Sequence, residues 1–436
     1  MKTPIYDFLT KYSNDNISRL HMPGHKGTGF LGCEKMDITE VFGADSLYEA
    51  DGIIRESEKN ASKIFGTGDT FYSTEGSSLC IRAMLYAALI NTDKKPVIVA
   101  ARNVHKSFIY ACAALGIDAE WIYPENSDSL CGGAITAKEA EDAIKKHNPF
   151  ALYVTSPNYL GEMTDIKAIS EVCKKYDIPL LVDNAHGAYL KFIGNHPIEL
   201  GAAMCCDSAH KTLNVLTGGA YLHISREYKD IYSDTIKNAM AFFGSTSPSY
   251  LTLCSLDLCN KYLADQYPQK LKNCILKVEE TKEYIAKKGF EIFGNEPLKI
   301  TVRANGEKLS KKFRELGGEC EYSDEQFIVF MVTPKNSDKD FDLLKKLFEN
   351  ETVEKLRFPP LLEQGKKVMS LRKAMLSCEE SVDVKNAVGR ICASPAISCP
   401  PAVPIAVSGE IITENTVKIF DFYKIKKINC VKNCGF

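Results

Sequence analysis

The sequence predicts an α/β fold, a mostly parallel sheet with helices on both faces, followed by a smaller C-terminal α+β domain. Three observations carry this expectation. At 436 residues the chain exceeds what one ordinary core accommodates, so a large and a smaller domain are expected. From residue 52 onward, short apolar runs alternate with amphipathic helical stretches, as in a sheet whose strands are buried on both faces by crossover helices. Beyond about residue 270 a second, self-contained alternation of helices and strands begins.

Residues 1–30 read as an irregular N-terminal arm ending in HMPGHKGTG, too rich in Gly and Pro for a helix or a central strand. His21 and His25 in it could act as ligands; the favoured reading is a polar arm packed on a partner. Residues 55–65 and 77–90 read as helices, the second entered through Glu75-Gly76-Ser77-Ser78. PVIVAA is a strand, HKSFIYACAALG a helix and AEWIY a strand. Thr136 and Glu139 form a capping box that opens a helix reaching His147. ALYVTS, a helix over 165–176 and PLLVDNA complete further strand–helix–strand units. Ligands of such sheets bind at the carboxyl ends of the strands, and His105, Ser156 and Asp183 each fall just after an apolar run. SPSYLTLCSLDL begins a helical segment leading to the second domain. There ILKVEETKEYIAKKG, EKLSKKFRELG and DKDFDLLKKLFEN read as helices, LKITVRA and QFIVFMV as strands. The expected organisation is an arm over 1–30, a large domain over 31–265 and a small domain over 266–436.

Composition narrows the function classes. The chain is 45% hydrophobic and 25% charged, values of the soluble globular class. A net charge of −2 gives no basic excess for nucleic acid or an anionic membrane, which leaves small-molecule chemistry. The N-terminus has no apolar secretory segment and no run is long enough to span a bilayer, so a cytoplasmic location is expected. Of the sixteen cysteines most lie in apolar segments, Cys112, Cys173, Cys205 and Cys206 among them, and are expected to be reduced thiols. Cys430 and Cys434 could bind metal or form a redox bond, but no second Cys/His pair has ligand spacing, and no metal site is expected.

The chemistry concentrates in LLVDNAHGAYLKF and CCDSAHKTLNVLTGGAYLHIS. Asp183 ends an apolar run, where a buried carboxylate needs a cation; the alternative is a turn cap. Lys211 follows a Ser-Ala-His triplet on a strand exit, where an amine has the surroundings of a nucleophile toward an aldehyde; the alternative is a surface lysine. Gly76-Ser77-Ser78 at a helix start can cradle a phosphate or simply cap the helix. His105 can lie flat over a planar ring or cap its own helix. Cradle, stacking histidine, Asp and Lys occur in the order that a fold-type-I pyridoxal 5'-phosphate enzyme requires, with Asp for the ring nitrogen and Lys for the Schiff base.

The motifs HMPGHKG, GADSLYEADGII, RNVHKS, YLGEMTDI, VDNAHGAY, DSAHKTL, STSPSY, GRICASPAI and CPPAVPIAVSGE resemble those of the ornithine/lysine/arginine decarboxylases, in their short form without the N-terminal wing domain. The resemblance runs from about residue 4 to residue 414. It implies decarboxylation of a basic amino acid, arginine or lysine before ornithine, to a polyamine precursor and CO2. The same-fold alternatives are an aminotransferase or an aromatic amino acid decarboxylase, and outside catalysis a homologue that only binds the cofactor. By the same resemblance Lys211 would form the Schiff base, Asp183 would pair with the pyridine nitrogen and His105 would stack on the ring. Gly76, Ser77, Ser78, Ser208 and His210 would hold the phosphate. Ser245 would reach the phosphate of a neighbouring subunit, making the active unit a homodimer with shared sites, or a larger assembly of dimers. His186 stands beside the cofactor, Glu410 near the distal cation of the substrate, and Lys211 or His210 would return the proton to the α-carbon. The chain departs from the family at Glu75 for Asn, Ala402 for Gly, Ser408 for Pro and Arg372-Lys373 for Arg-Glu.

Overall fold

A computed structural model of the chain describes residues 1–125, 127, 129–397 and 402–432. It divides into two compact units, Met1–Asp93 with Pro179–Leu271, and Lys94–Ile178 with Lys272–Phe436. Seven strands make up a mostly parallel sheet: β1 (Asp69–Ser73), β2 (Val97–Ala101), β3 (Asp118–Ile122), β4 (Ala151–Thr155), β5 (Leu180–Asp183), β6 (Met204–Asp207) and β7 (Ala220–Ile224).

In the first unit the order is β1-β7-β6-β5. Strands β5 and β6 are parallel with Asp183 opposite Cys206. Strand β7 is antiparallel to both β6 and β1, pairing Tyr221 with Asp207 and Ala220 with Ser73. The carboxyl ends of β1, β5 and β6 therefore meet at one edge. Every residue of these four strands is buried, which explains why β5 and β6 read as continuous apolar runs rather than alternating ones.

The first unit also holds α1 (Pro4–Asn14), α2 (Ile53–Phe65) and α3 (Gly76–Ile90). Helix α1 corrects the expectation of an irregular arm over 1–30. The Gly and Pro residues that suggested it lie from Pro23 onward, whereas Ile5, Leu9 and Tyr12 form a buried stripe at helical spacing. Pro4 sits at the first turn, where its missing N–H costs nothing. Residues 16–30 do lack regular structure. There His21 Nε2 meets the Tyr12 hydroxyl at 2.6 Å and His25 Nε2 meets Asp37 at 3.2 Å.

In the second unit β2 lies between β4 and β3, parallel to both. Helices α4 (Lys106–Leu115), α5 (Ala137–His147) and α6 (Ile166–Lys175) accompany them. The capping box of α5 forms as expected, Glu139 N–H donating to Thr136 Oγ1 (3.2 Å) and Thr136 N–H to Glu139 Oε2 (2.6 Å). The expected α+β portion contains a four-stranded antiparallel sheet built on Lys299–Arg303 and Phe327–Met331, with helices over Gly306–Glu315 and Asp338–Phe348. Its core joins Leu160, Phe327 and Val329 to Ile412, Phe420 and Ile428 of the C-terminal segment. The helix expected over ILKVEETKEYIAKKG starts earlier, spanning Tyr267–Lys287. Cys112, Cys173, Cys205 and Cys206 are buried and free, as small hydrophobes are; Cys434 lies outside the described residues. No helix among the described residues is long and apolar enough to cross a membrane.

Asp257, on the helix Tyr250–Asp265, takes the place of a side-chain cap for α1. Its Oδ2 accepts the Ile5 and Tyr6 amides, both at 3.0 Å, and its Oδ1 accepts Ser57 Oγ at 2.5 Å. Burial outweighs those hydrogen bonds and pushes the carboxyl up to about 6. A raised folded pKa means that the folded state holds the proton more tightly than the unfolded chain, so this stabilisation is complete below about pH 4 and is lost as pH rises through 6. The stability of the wild type relative to Asp257→Asn should thus fall by about 3 kcal/mol between pH 4 and 7, at roughly 1.4 kcal/mol per pH unit. Urea midpoints across that range measure it; a flat difference would contradict the raised pKa.

Candidate active site

Strand β5 delivers Asp183 to the sheet edge, almost fully buried. Its Oδ1 accepts the Ala185 amide at 3.2 Å and the Cys206 thiol at 3.7 Å. Three residues on, His186 is also buried, and its Nε2 lies 3.1 Å from Lys211 Nζ. With Lys211 as an ammonium, which only donates, that nitrogen is the acceptor and the His186 proton lies on Nδ1. Lys211 sits on a single turn of helix, Ala209–Thr212, that leaves β6 directly. Next to it, His210 Nδ1 donates to the Gly219 carbonyl at 3.0 Å. Burial, and then the charge of Lys211, push the His210 pKa down, so near neutral pH it is an uncharged imidazole with its proton on Nδ1.

Helix α3 starts at the same edge. Gly76 has φ of +69°, a left-handed conformation that a side chain resists, and its amide donates to the Gly218 carbonyl at 2.7 Å. The N-cap residue of α3, Glu75, makes no side-chain cap. Ser208 Oγ donates to Ser77 Oγ at 2.9 Å, bringing hydroxyls from the β6 exit and the α3 start together. With Ser78 in the same first turn, the hydroxyls and the helix dipole favour an anion. Glu75, exposed, turns its carboxylate to the Ser245 amide at 2.6 Å, and Ser245 Oγ accepts the Ser247 amide at 3.2 Å. The structure thus brings Gly76, Ser77, Ser78, Asp183, His186, Ser208, His210 and Lys211 to one edge, with Ser245 tied to the residue preceding the cradle.

A group of polar residues behind the lysine turn escaped the sequence reading. Asp207, His196 and His223 are buried with their ligating atoms within 4.8 Å of one another, and Asn184 Nδ2 donates to Asp207 Oδ1 at 2.6 Å. Asp207 ends an apolar run just as Asp183 does, a signal available in MCCD but overshadowed by the lysine beyond it.

His105 and Glu410 belong to the second unit. His105 caps α4, its Nδ1 accepting the Ser107 amide at 3.1 Å, so the capping alternative holds and the ring is fixed as the Nε2–H tautomer unless protonated. Glu410 is buried; its Oε2 accepts the Val407 amide at 2.9 Å and lies 3.9 Å from Arg102 Nη2. Arg102 also donates to the Pro404 and Ile405 carbonyls, at 2.8 and 3.1 Å. A Cβ on Gly365 would fall 2.4 Å from Glu410 Cδ, so the glycine leaves room for that carboxylate.

Fold and site define the class first. Escherichia coli constitutive lysine decarboxylase shares the fold with a TM-score of 0.79 at 17% identity, over 99% of this chain and 82% of its own. The Bacillus subtilis ureidoglycine-glyoxylate aminotransferase shares it with a TM-score of 0.55 at 14% identity, over 69% and 86%. The architecture is that of fold-type-I pyridoxal-phosphate enzymes. Arginine decarboxylase of Bacillus subtilis (strain 168) is 30% identical over 457 residues, 95% of this chain and 92% of that protein. The family descriptions "Orn/Lys/Arg decarboxylase, major domain" and "Orn/Lys/Arg decarboxylase, C-terminal domain" match residues 3–343 and 362–436. The chain belongs to the Orn/Lys/Arg decarboxylase family and is an amino acid decarboxylase.

Some departures from the family pattern acquire physical content. Arg372 closes the end of α4, Nη1 donating to the Ala114 carbonyl at 2.6 Å. Ser408 is buried, and its hydroxyl meets no partner among the described residues. Ala402 has φ of +59°, where a Cβ costs roughly 1–2 kcal/mol, and its carbonyl accepts the Lys106 amide at 3.1 Å. Ala402→Gly should therefore stabilise the protein by up to about 1 kcal/mol after the entropy of glycine is deducted, read as a rise in Tm; a clear fall would show the left-handed backbone to be unstrained.

Proposed function

We propose that the chain is a pyridoxal 5'-phosphate-dependent decarboxylase that converts a basic amino acid, arginine or lysine before ornithine, to its amine and CO2. One observation carries the reading: a buried carboxylate, a lysine 3.1 Å from a buried histidine, and a pair of serine hydroxyls at a helix start share one sheet edge. That donor set fits the cofactor's ring nitrogen, aldehyde and phosphate. When bound, the cofactor accepts the electron pair left behind as CO2 departs.

The chain's own residues then divide the work. Asp183, shielded from water, keeps a proton on the ring nitrogen. Lys211 would hold the cofactor through its aldehyde, and His186 would orient the lysine amine. Gly76, Ser77, Ser78, Ser208 and His210 hold the phosphate, while Glu75 is drawn aside by the Ser245 amide. His105 has a fixed ring to offer the cofactor face. The proton returned to the α-carbon comes from Lys211 or His210.

We further infer a homodimer in which Ser245 serves the neighbouring subunit, with larger assemblies of such dimers open. Leu20, Met22, Phe30, Leu31 and Phe42 are each more than two-thirds exposed, apolar area that a second copy would cover. A cytoplasmic location accords with the many buried free thiols. The amine product would serve as a polyamine precursor.

Purified protein should be yellow and bleached by borohydride, and Lys211→Ala should be colourless; colour that survives in the variant would remove the lysine from its role. A panel of amino acids scored for CO2 and amine should give activity only with cationic substrates. For Glu410, a role at the distal cation of the substrate competes with its contact to Arg102. If it serves the substrate, Glu410→Gln raises KM about 10- to 100-fold with colour and Tm unchanged. A lowered Tm with unchanged KM assigns it to Arg102 alone. Light scattering at micromolar concentration should give twice the chain mass, and a monomer would refute the shared site.

A further inference from the structure

Asp207 is a fully buried carboxylate of the first unit, and the decarboxylation chemistry above makes no use of it. Its Oδ1 accepts Asn184 Nδ2 at 2.6 Å, and its Oδ2 accepts His196 Nε2 at 3.1 Å. His223 Nε2 lies 3.2 Å from the same Oδ2, short of a well-aligned hydrogen bond. Both imidazoles and the carboxylate are wholly excluded from water.

The protons can be placed by elimination. His223 Nδ1 meets Thr70 Oγ1 at 2.8 Å, and Thr70 Oγ1 meets Thr67 Oγ1 at 2.8 Å. A hydroxyl can donate to Nδ1, whereas a bare lone pair on Nε2 would face a carboxylate at 3.2 Å. His223 therefore carries its proton on Nε2. Burial pushes its pKa down, so it is neutral. His196 Nδ1 has no partner among the described residues, which leaves its proton on Nε2 toward Asp207. Phe65 walls the group, 4.5 Å from the His223 ring and 5.6 Å from that of His196, so the contacts act in a dry, low-dielectric pocket.

The location gives this hub its meaning. Asn184 follows Asp183 directly, and Asp207 precedes Lys211 by one short turn. Between the two strand ends run one backbone bond, Asn184 N–H to the Cys206 carbonyl (3.0 Å), and the Asn184–Asp207 side-chain bond. We propose that Asp207 is a positioning residue: braced by His196 and His223, it holds the turn bearing Lys211 in register with Asp183. The proposal rests on the reading of Lys211 and Asp183 as the cofactor-binding pair. A misplacement of about 1 Å between such groups costs on the order of 100-fold in rate.

The test uses the full-length protein purified with cofactor. Asp207→Asn should still take up the cofactor's colour, lose about 10- to 100-fold in kcat with KM within about threefold, and change colour at a shifted pH. A lowered Tm with kcat and the colour transition unmoved would reduce Asp207 to a core contact and overturn the proposal. Should that variant not fold, Thr70→Val, which removes the hydroxyl that sets the His223 tautomer, should reproduce the colour shift in weaker form; unchanged colour pH and kcat would overturn it. In the wild type, imidazole nitrogen shifts at neutral pH should report His223 as the neutral Nε2–H form. A charged or Nδ1–H His223, or stoichiometric metal that survives dialysis, overturns the hub. Wild-type protein that takes no colour and releases no CO2 would sink the functional reading, while the imidazole tautomers would still decide the hub.

Discussion

Parallel pairing of β5 with β6, Asp183 opposite Cys206, is the constraint on which the candidate site depends. Two parallel strands end at the same edge, so one carries Asp183 and His186 there and the other carries Asp207, Ser208 and Lys211. Antiparallel β7 returns the chain and brings the end of β1, and with it the start of α3, to that edge as well. A one-residue slip between β5 and β6 would turn each side chain to the opposite face. The buried Leu181, Val182, Met204 and Cys205 resist such a slip, larger aliphatic side chains contributing roughly 1.5–3 kcal/mol each when buried.

That apolar setting makes charge expensive, and the first unit answers in two ways. Asp207 is held by protein donors on both oxygens; burial alone would push its carboxyl up, but the adjoining His196 and His223 bring it below the usual carboxylate range. Asp183 accepts the Ala185 amide and the Cys206 thiol on one oxygen.

In the second unit, the RNVHKS motif both presents His105 and organises the distant C-terminal segment. Arg102 binds carbonyls some 300 residues away and approaches Glu410, while the Lys106 amide holds the Ala402 carbonyl. Substitutions in that segment are therefore felt next to His105 through direct hydrogen bonds rather than through the sheet.

The sequence by itself determined the class of fold, the elements with strong apolar runs or helical periodicity and the capping box at Thr136, and it singled out Lys211, Asp183 and the serine run as candidates. These are written in local periodicity, caps and contiguous motifs, where the informative residues are neighbours along the chain. It misread the first fourteen residues because glycines and prolines further on masked a helical stripe whose cap, Asp257, lies some 250 positions away. It could not show that His105 caps its own helix, that Glu410 faces Arg102, or that Ala402 occupies a left-handed backbone. The hub of Asn184, His196, Asp207 and His223 was likewise decided only by tertiary structure. Its members come from four separate stretches that strand pairing and the loop bearing His196 bring within hydrogen-bonding distance, and a buried polar group reveals its role only once its partners are in place.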